Sequence, residues 1–213
     1  MPSEISEDTI IRRLDDALKC SLDNDYASYP LFENPRPAAV LIPLVRNFSS
    51  QNQTTEWHIL FTRRSDTLEE HRGQVAFPGG RSDGQDSTPE ETALREAYEE
   101  IGLKANDVRI LGKLREIPTI SNYCVTPIIG VIPWPYDFRL ATQEVSRIFT
   151  IPLEWLANPS HYEIRERILP TAIAQSLKLQ SLPVIYFTPY DGELLWGISA
   201  QIVLSLIEVI FNN

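Results

Sequence analysis

The chain of 213 residues is long enough for one substantial core, and 43% hydrophobic with 23% charged residues is the balance of a folded domain, not a disordered one. A formal net charge of −10 excludes a broad cationic footprint, and with it extended binding to nucleic acid or to an anionic membrane; a phosphate-bearing substrate stays open, because bound divalent cations reverse the local field. Two isolated cysteines, Cys20 and Cys124, exclude a disulfide framework or a metal knuckle, and the acidic start MPSEISEDTI lacks a signal-peptide pattern, so a cytoplasmic setting is expected.

In chain order, Ile10, Ile11, Leu14 and Leu18 recur at helical spacing and predict a helix over 7–22. A polar, proline-rich connector follows over 23–37. Apolar, β-branched runs at 38–45 and 57–62 predict strands, separated by a polar loop at 47–55. A short strand at 74–77 closes on Pro78-Gly79-Gly80, and a helix is predicted over 88–101. Strand-like runs return at 108–114, 125–132 and 184–187. The last predicted element is a helix over 196–211, whose apolar run contains Glu208 and falls short of the ~18 residues of a membrane span. Mixed elements without regular βαβ alternation point to one domain.

The helix at 88–101 has both of its ends written in the sequence. Thr88 can cap it, Pro89 stands at its first position, Glu91 completes a capping box, and Gly102 can end it in the left-handed conformation. Glu96, Glu99 and Glu100 fall within an arc of about 100° on one side. An acidic patch of this kind is ordinarily a solvated face. However, like charges at i, i+4 cost a helix ~0.2–0.5 kcal/mol, and Arg95 offsets only part of that. A hard divalent cation such as Mg²⁺ or Mn²⁺ would reverse the penalty. The glycine pair just upstream lets backbone approach a ligand closely, so loop and helix together make a cradle for metal and phosphate.

These residues resemble the Nudix hydrolase signature, G-x5-E-x7-R-E-U-x-E-E-x-G-U with U aliphatic. The run Arg95-Glu96-Ala97-Tyr98-Glu99-Glu100-Ile101-Gly102-Leu103 matches its second half at every fixed position, and Gly80 stands for the first glycine. The spacing from Gly80 to Arg95 is one residue longer than usual and the first glutamate is missing, with Asp83 or Asp86 as possible substitutes. The longer box, and the run Leu60-Phe61-Thr62-Arg63-Arg64-Ser65 through His71-Arg72-Gly73-Gln74-Val75-Ala76-Phe77-Pro78-Gly79-Gly80, are similar to the coenzyme A pyrophosphatase branch; only Phe61 departs from that branch's upstream signature. Segments around Pro118-Thr119, Val125-Thr126-Pro127, Glu144-Val145 and Trp196-Gly197 share the likeness, whereas the N-terminal helix, 133–140 and 158–182 lie outside it.

The resemblance implies an α+β fold, an α/β/α sandwich around a mixed β-sheet, with 37–213 as the hydrolase domain and 1–36 as a helix and connector packed on it. It implies metal-dependent hydrolysis of a pyrophosphate bond in a small nucleotide substrate. Coenzyme A or its derivatives is the leading substrate, with ADP-ribose or another nucleoside diphosphate derivative as the rival, and a non-catalytic ligand-binding module as a reading from another class. Glu96 and Glu100 would hold Mg²⁺ or Mn²⁺, and Glu99 would be a third ligand or the base. Arg95 would hold a catalytic glutamate, unless it only bridges to Glu91 or Glu99. Glu144 would add a carboxylate from a loop. The Gly79-Gly80 turn, Arg64, Arg72 and His71 would face the substrate, unless the arginines pair with Asp66, Glu69 and Glu70 and the histidine is structural. Asn122, Tyr123 and Cys124 are expected beside the cleft, and none of them is expected as a nucleophile. The oligomeric state is left open.

Overall fold

The computed structural model describes residues 5–19, 34–49, 54–68 and 71–211. Its centre is a mixed sheet whose hub is β1 (Arg36–Ser49). On one side β1 pairs antiparallel with β2 (Thr54–Arg64), which carries β3 (Val75–Ala76) and, along its other edge, β8 (Val145–Pro152). On the other side β1 pairs parallel with β7 (Tyr123–Val131), which carries β5 (Arg109–Lys113) and β6 (Ile117–Pro118). The short β4 (Gly79–Arg81) lies antiparallel on the start of β1.

Strand alternation sends successive side chains to opposite faces, and both faces are covered. From β1, Ile42 and Leu44 enter one core, with Trp57, Ile59 and Phe61 of β2. Helices α1 (Glu7–Lys19) and α5 (Gly197–Phe211) close that side through Ile10, Leu14, Ile202, Val203, Leu206 and Ile210. Ala39, Leu41 and Val45 of β1 enter the other core with Leu60, beneath α2 (Pro89–Ile101). Ala93, Ala97 and Ile101 form the helix's buried face; two alanines let its axis sit close to the sheet. The result is the expected α/β/α sandwich.

Several expectations shift in detail. The loop read at 47–55 is shorter, because Asn47 and Phe48 pair with Glu56 and Thr55 and extend the hairpin. The helix read to residue 22 is described through Lys19, and most of the connector at 23–37, like Cys20, Glu69 and Glu70, lies outside the described residues. Unanticipated elements are β4, β6, β8, α3 (Leu153–Leu156), α4 (Thr171–Leu177) and β9 (Tyr162–Ile168), which pairs with β10 (Ser181–Phe187), a longer form of the strand read at 184–187. Among the described residues no helix is long and apolar enough to cross a membrane.

Candidate active site

Helix α2 begins as its sequence requires. Thr88 Oγ1 accepts from the Glu91 N–H at 3.1 Å, while the Glu91 carboxylate accepts from the Ser87 N–H at 2.7 Å, one residue earlier than in the usual reciprocal box. Such a cap is worth about 1 kcal/mol. At the other end Gly102 takes φ 70°, a conformation that disfavours other residues, and its N–H reaches Tyr98 O at 2.9 Å.

The helix presents Glu96 and Glu100 to the glycine turn. A Cβ on Gly80 would stand 2.6 Å from the Glu96 carboxylate, and the Gly79 N–H donates to Glu100 Oε2 at 3.4 Å. Glu100 is only 4% exposed. Burial pushes its carboxyl up to about 8, offset in part by the charge of Arg64 and by the Gly79 N–H, and reinforced by the charges of Glu96 and Glu144. The Glu96 carboxyl is also raised, first by burial, against the pull of Arg95. Glu144 therefore belongs to this group although it arrives from the turn before β8. It is fixed there by the Ser65 N–H donating to its carbonyl at 2.7 Å. Glu99, unlike Glu96 and Glu100, is open to solvent, with its side chain 57% exposed.

Arg95 lies across the cluster. One of its nitrogens, Nη1, contacts Glu96 at 2.9 Å and Glu99 at 3.1 Å; the guanidinium also grips Asp86 through Nε at 3.1 Å and Nη2 at 3.0 Å. Asp86 is almost buried, accepts from Thr92 Oγ1, and is held down at about 2, chiefly by the Arg95 hydrogen bond. Of the two aspartates read as substitutes for the missing first glutamate, Asp86 reaches Arg95, whereas Asp83 Oδ1 accepts from the Gln85 N–H at 3.3 Å. The pairing of Arg95 with Glu91 read from the sequence does not form, because Glu91 is committed to the cap. We expect Asp86→Ala to lower the melting temperature at pH 7 by an amount equivalent to about 1–3 kcal/mol, since Arg95 loses a partly buried partner. The folded Asp86 sits below its unfolded value, so its contribution is full above pH ~4 and fades as pH falls toward 2. The gap between variant and wild type should narrow over that interval in thermal melts; a constant gap would contradict the assignment.

The upstream arginines separate. Arg63 is occupied by Asp66 at 2.8 Å, as expected of a structural arginine, and also by Glu193 at 3.5 Å, which was not foreseen. Arg64, the next residue on β2, turns to the face of Leu60 and α2, and its Nε is buried without a hydrogen-bond partner. Arg72 and His71 stand exposed on the turn before β3, with His71 Nδ1 at 3.0 Å from Gln74 Oε1. The parallel register sets Tyr123 and Cys124 beside Arg36 and Pro37, next along β1 from the Ala38–Arg81 pair. Burial and Glu116 push the Cys124 thiol up to about 11, which suits no nucleophile. A cleft of about 520 Å³ borders Glu99 on the outer side, against Tyr98, Lys104, Tyr136 and Arg139, and does not include Glu96, Glu100 or Arg64.

Among the described residues no three acidic, histidine or cysteine side chains already stand in coordinating geometry. The donor set nevertheless fits a hard divalent cation. All four donors are carboxylates; Glu96 and Glu100 are withdrawn from water and raised by burial and by their acidic neighbours, and glycine backbone approaches within contact of both.

Comparison with known proteins agrees with this site. The pattern of the NUDIX domain matches residues 35–171. A protein named Uncharacterized Nudix hydrolase NudL in Yersinia enterocolitica is 38% identical over 175 residues, 82% of each chain, and its namesake in Yersinia pestis strain Pestoides F is 37% identical over 81% of this chain and 79% of that one. A MutT/nudix family protein from Enterococcus faecalis superimposes with a TM-score of 0.50 at 13% identity, over 95% of this chain and 73% of its own, a likeness of fold alone. The domain match and the relatives' identity along most of their length place the chain in the Nudix hydrolase family, whose enzymes generally need divalent cations and hydrolyse pyrophosphate bonds in nucleoside diphosphate derivatives.

Proposed function

We infer that the substrate is coenzyme A or one of its derivatives, cut to 4′-phosphopantetheine and adenosine 3′,5′-bisphosphate with Mg²⁺ or Mn²⁺ in the cytoplasm. The observation that carries the reading is Arg64, a partly buried guanidinium with an unpaired Nε beside the carboxylates. It lies in the upstream run that resembles the coenzyme A pyrophosphatase branch. That run is stitched into one wall: the Arg64 N–H donates to Gln74 O at 2.9 Å and the Gly73 N–H donates to Arg64 O at 3.2 Å.

In this reading Glu96 and Glu100 hold the cation, with Glu99 or Glu144 completing the set and the Gly79-Gly80 backbone closing one side. The ion supplies neutralisation of the pyrophosphate oxygens and orientation for in-line attack. Glu99, an exposed carboxylate on the same helix, takes the proton of the attacking water. Arg95 keeps Glu96 and Glu99 apart at fixed distance and is a positioning residue. Arg64 and then Arg72 meet phosphate charge, to which guanidinium is suited by its bidentate geometry and permanent charge. His71 borders the substrate from the turn. Residues 37–213 form the catalytic domain, with the N-terminal helix as an addition packed on it.

The test is a panel of coenzyme A, dephospho-coenzyme A, ADP-ribose and a nucleoside triphosphate with Mg²⁺ or Mn²⁺, and products identified by mass. Coenzyme A should be cut fastest and release the two named products. Faster cleavage of ADP-ribose would overturn the coenzyme A reading and leave the family assignment standing.

A further inference from the structure

Strand β9, Tyr-Glu-Ile-Arg-Glu-Arg-Ile, is exposed along nearly its whole length, and among the described residues it pairs with β10 alone. Its other edge is a row of backbone donors and acceptors. The flanking bonds show which residues own that row. The Leu169 N–H donates to Gln180 O at 2.9 Å and the Thr188 N–H to His161 O at 2.7 Å, one step beyond each end of the ladder. Hydrogen-bonded pairs alternate in an antiparallel ladder, so Glu163, Arg165 and Arg167 also face β10. The N–H and C=O groups of Tyr162, Ile164, Glu166 and Ile168 face outward.

We propose that this edge pairs antiparallel with β9 of a second copy of the chain, about a two-fold axis through Ile164, joining two hairpins into one four-stranded sheet. Charge selects both partner and register. Two-fold pairing through the outward row must match Tyr162, Ile164, Glu166 and Ile168 among themselves, which leaves few registers. Centring on Glu166 would oppose Glu166 to itself and Arg165 to Arg167. Centring on Arg165 would oppose Arg165 to itself. Centring on Ile164 places Ile164 against Ile164, Tyr162 against Glu166, and Glu163 against Arg165 twice, one pair on each side of the axis. Cross-strand opposite charges are favourable and like charges are not. Glu163 and Arg165 already form an ion pair within each strand, both more than half exposed, so the same charges can be shared across the axis. Ile164 and Ile168, 44% and 82% exposed, give the edge apolar character that charged edge strands ordinarily avoid.

The interface is small, so association should be weak and concentration-dependent. Sedimentation equilibrium of the full chain over a wide concentration range should show the average mass rising toward twice that of the monomer. Arg165→Glu opposes like charges twice and should abolish the rise; Glu163→Arg/Arg165→Glu restores the complementarity and should recover it. Ile164→Pro removes an outward N–H without touching the β9–β10 ladder and should also keep the chain monomeric. Glu163 and Arg165 would face each other in a non-hydrogen-bonded pair with Cα atoms about 4.5 Å apart, within disulfide span. A mixture of Glu163→Cys and Arg165→Cys chains should therefore cross-link on oxidation, and a mixture of Glu163→Cys and Arg167→Cys should not. A wild type that stays monomeric throughout overturns the proposal. So does a dimer indifferent to Arg165→Glu and Ile164→Pro, and so does cross-linking at Arg167 in place of Arg165.

Discussion

Glu100→Gln should lose turnover by about 10²–10³-fold or more while becoming more stable than the wild type in metal-free buffer at pH 8. The two effects have one cause. Glu100 is withdrawn from water among other carboxylates, so folding resists its charge and its carboxyl keeps a proton up to about 8. In the unfolded chain the same group ionises near 4.5. Between these values the folded state holds the extra proton, so stability falls as pH rises from ~4.5 to 8 and levels off above. At about 1.4 kcal/mol per unit the loss is at most several kcal/mol. Glutamine carries no charge and does not suffer it. In thermal melts without metal, the variant should match the wild type near pH 5 and exceed it at pH 8. Adding Mg²⁺ or Mn²⁺ should stabilise the wild type by linkage, about 2.7 kcal/mol at a hundred times the dissociation constant, and should stabilise the variant far less. Wild-type turnover in the variant, or an equal response of both proteins to metal, would remove Glu100 from the site.

Arg64→Ala should erase a preference for coenzyme A over dephospho-coenzyme A of about 10–150-fold in kcat/KM, the worth of one charge-assisted hydrogen bond. The two substrates differ only in the ribose 3′-phosphate, and the neighbouring guanidinium of Arg63 is already committed to Asp66 and Glu193. The alternative is that Arg64 acts through its field on Glu100, whose raised proton affinity it partly relieves. Rates separate the two roles. If Arg64 reads the 3′-phosphate, the variant cuts dephospho-coenzyme A about as fast as the wild type does, and only coenzyme A suffers. If it tunes Glu100, both substrates slow together and the pH profile moves. Equal handling of the two substrates by the wild type would rule out the 3′-phosphate role altogether.

What was legible in the sequence follows from how local the information is. Helix α2 could be read with its caps because Thr88, Pro89, Glu91 and Gly102 act within a few residues of the backbone they satisfy. β1 could be read because it feeds cores on both faces and is apolar throughout 38–45, and β2 because Trp57, Ile59, Leu60 and Phe61 do the same over its middle. β9 was missed because its alternation of Tyr162, Ile164 and Ile168 is broken by Glu166 and serves no buried face. β8 was obscured by the bulge opposite Arg63 and Arg64, which throws its alternation out of step between Val145 and Phe149. At the site, the carboxylates were visible as a helical face, but the choice between Arg63 and Arg64 was not, since adjacent strand residues point opposite ways and only the fold says which side holds α2. The commitment of Arg95 to Asp86, nine residues upstream in a loop, was equally beyond helical spacing.

The stretch that leaves α2 is pinned twice before it reaches Glu144. The Arg139 and Ala141 N–H groups donate to Ile101 O and Glu100 O, each at 2.9 Å, and the Glu144 and Val145 N–H groups then turn back onto Ala141 O. The carbonyl that anchors Ala141 thus belongs to Glu100 itself. Glu144 is measured from Glu100 by a short, doubly fastened span, and the longer path through 104–138 contributes nothing to that separation. The excursion at 133–138, which ends at the Arg139 fastening, is mechanically in parallel with the gauge, not in series with it. Its length and shape can change while the gap between the two carboxylates stays set by a single turn of backbone.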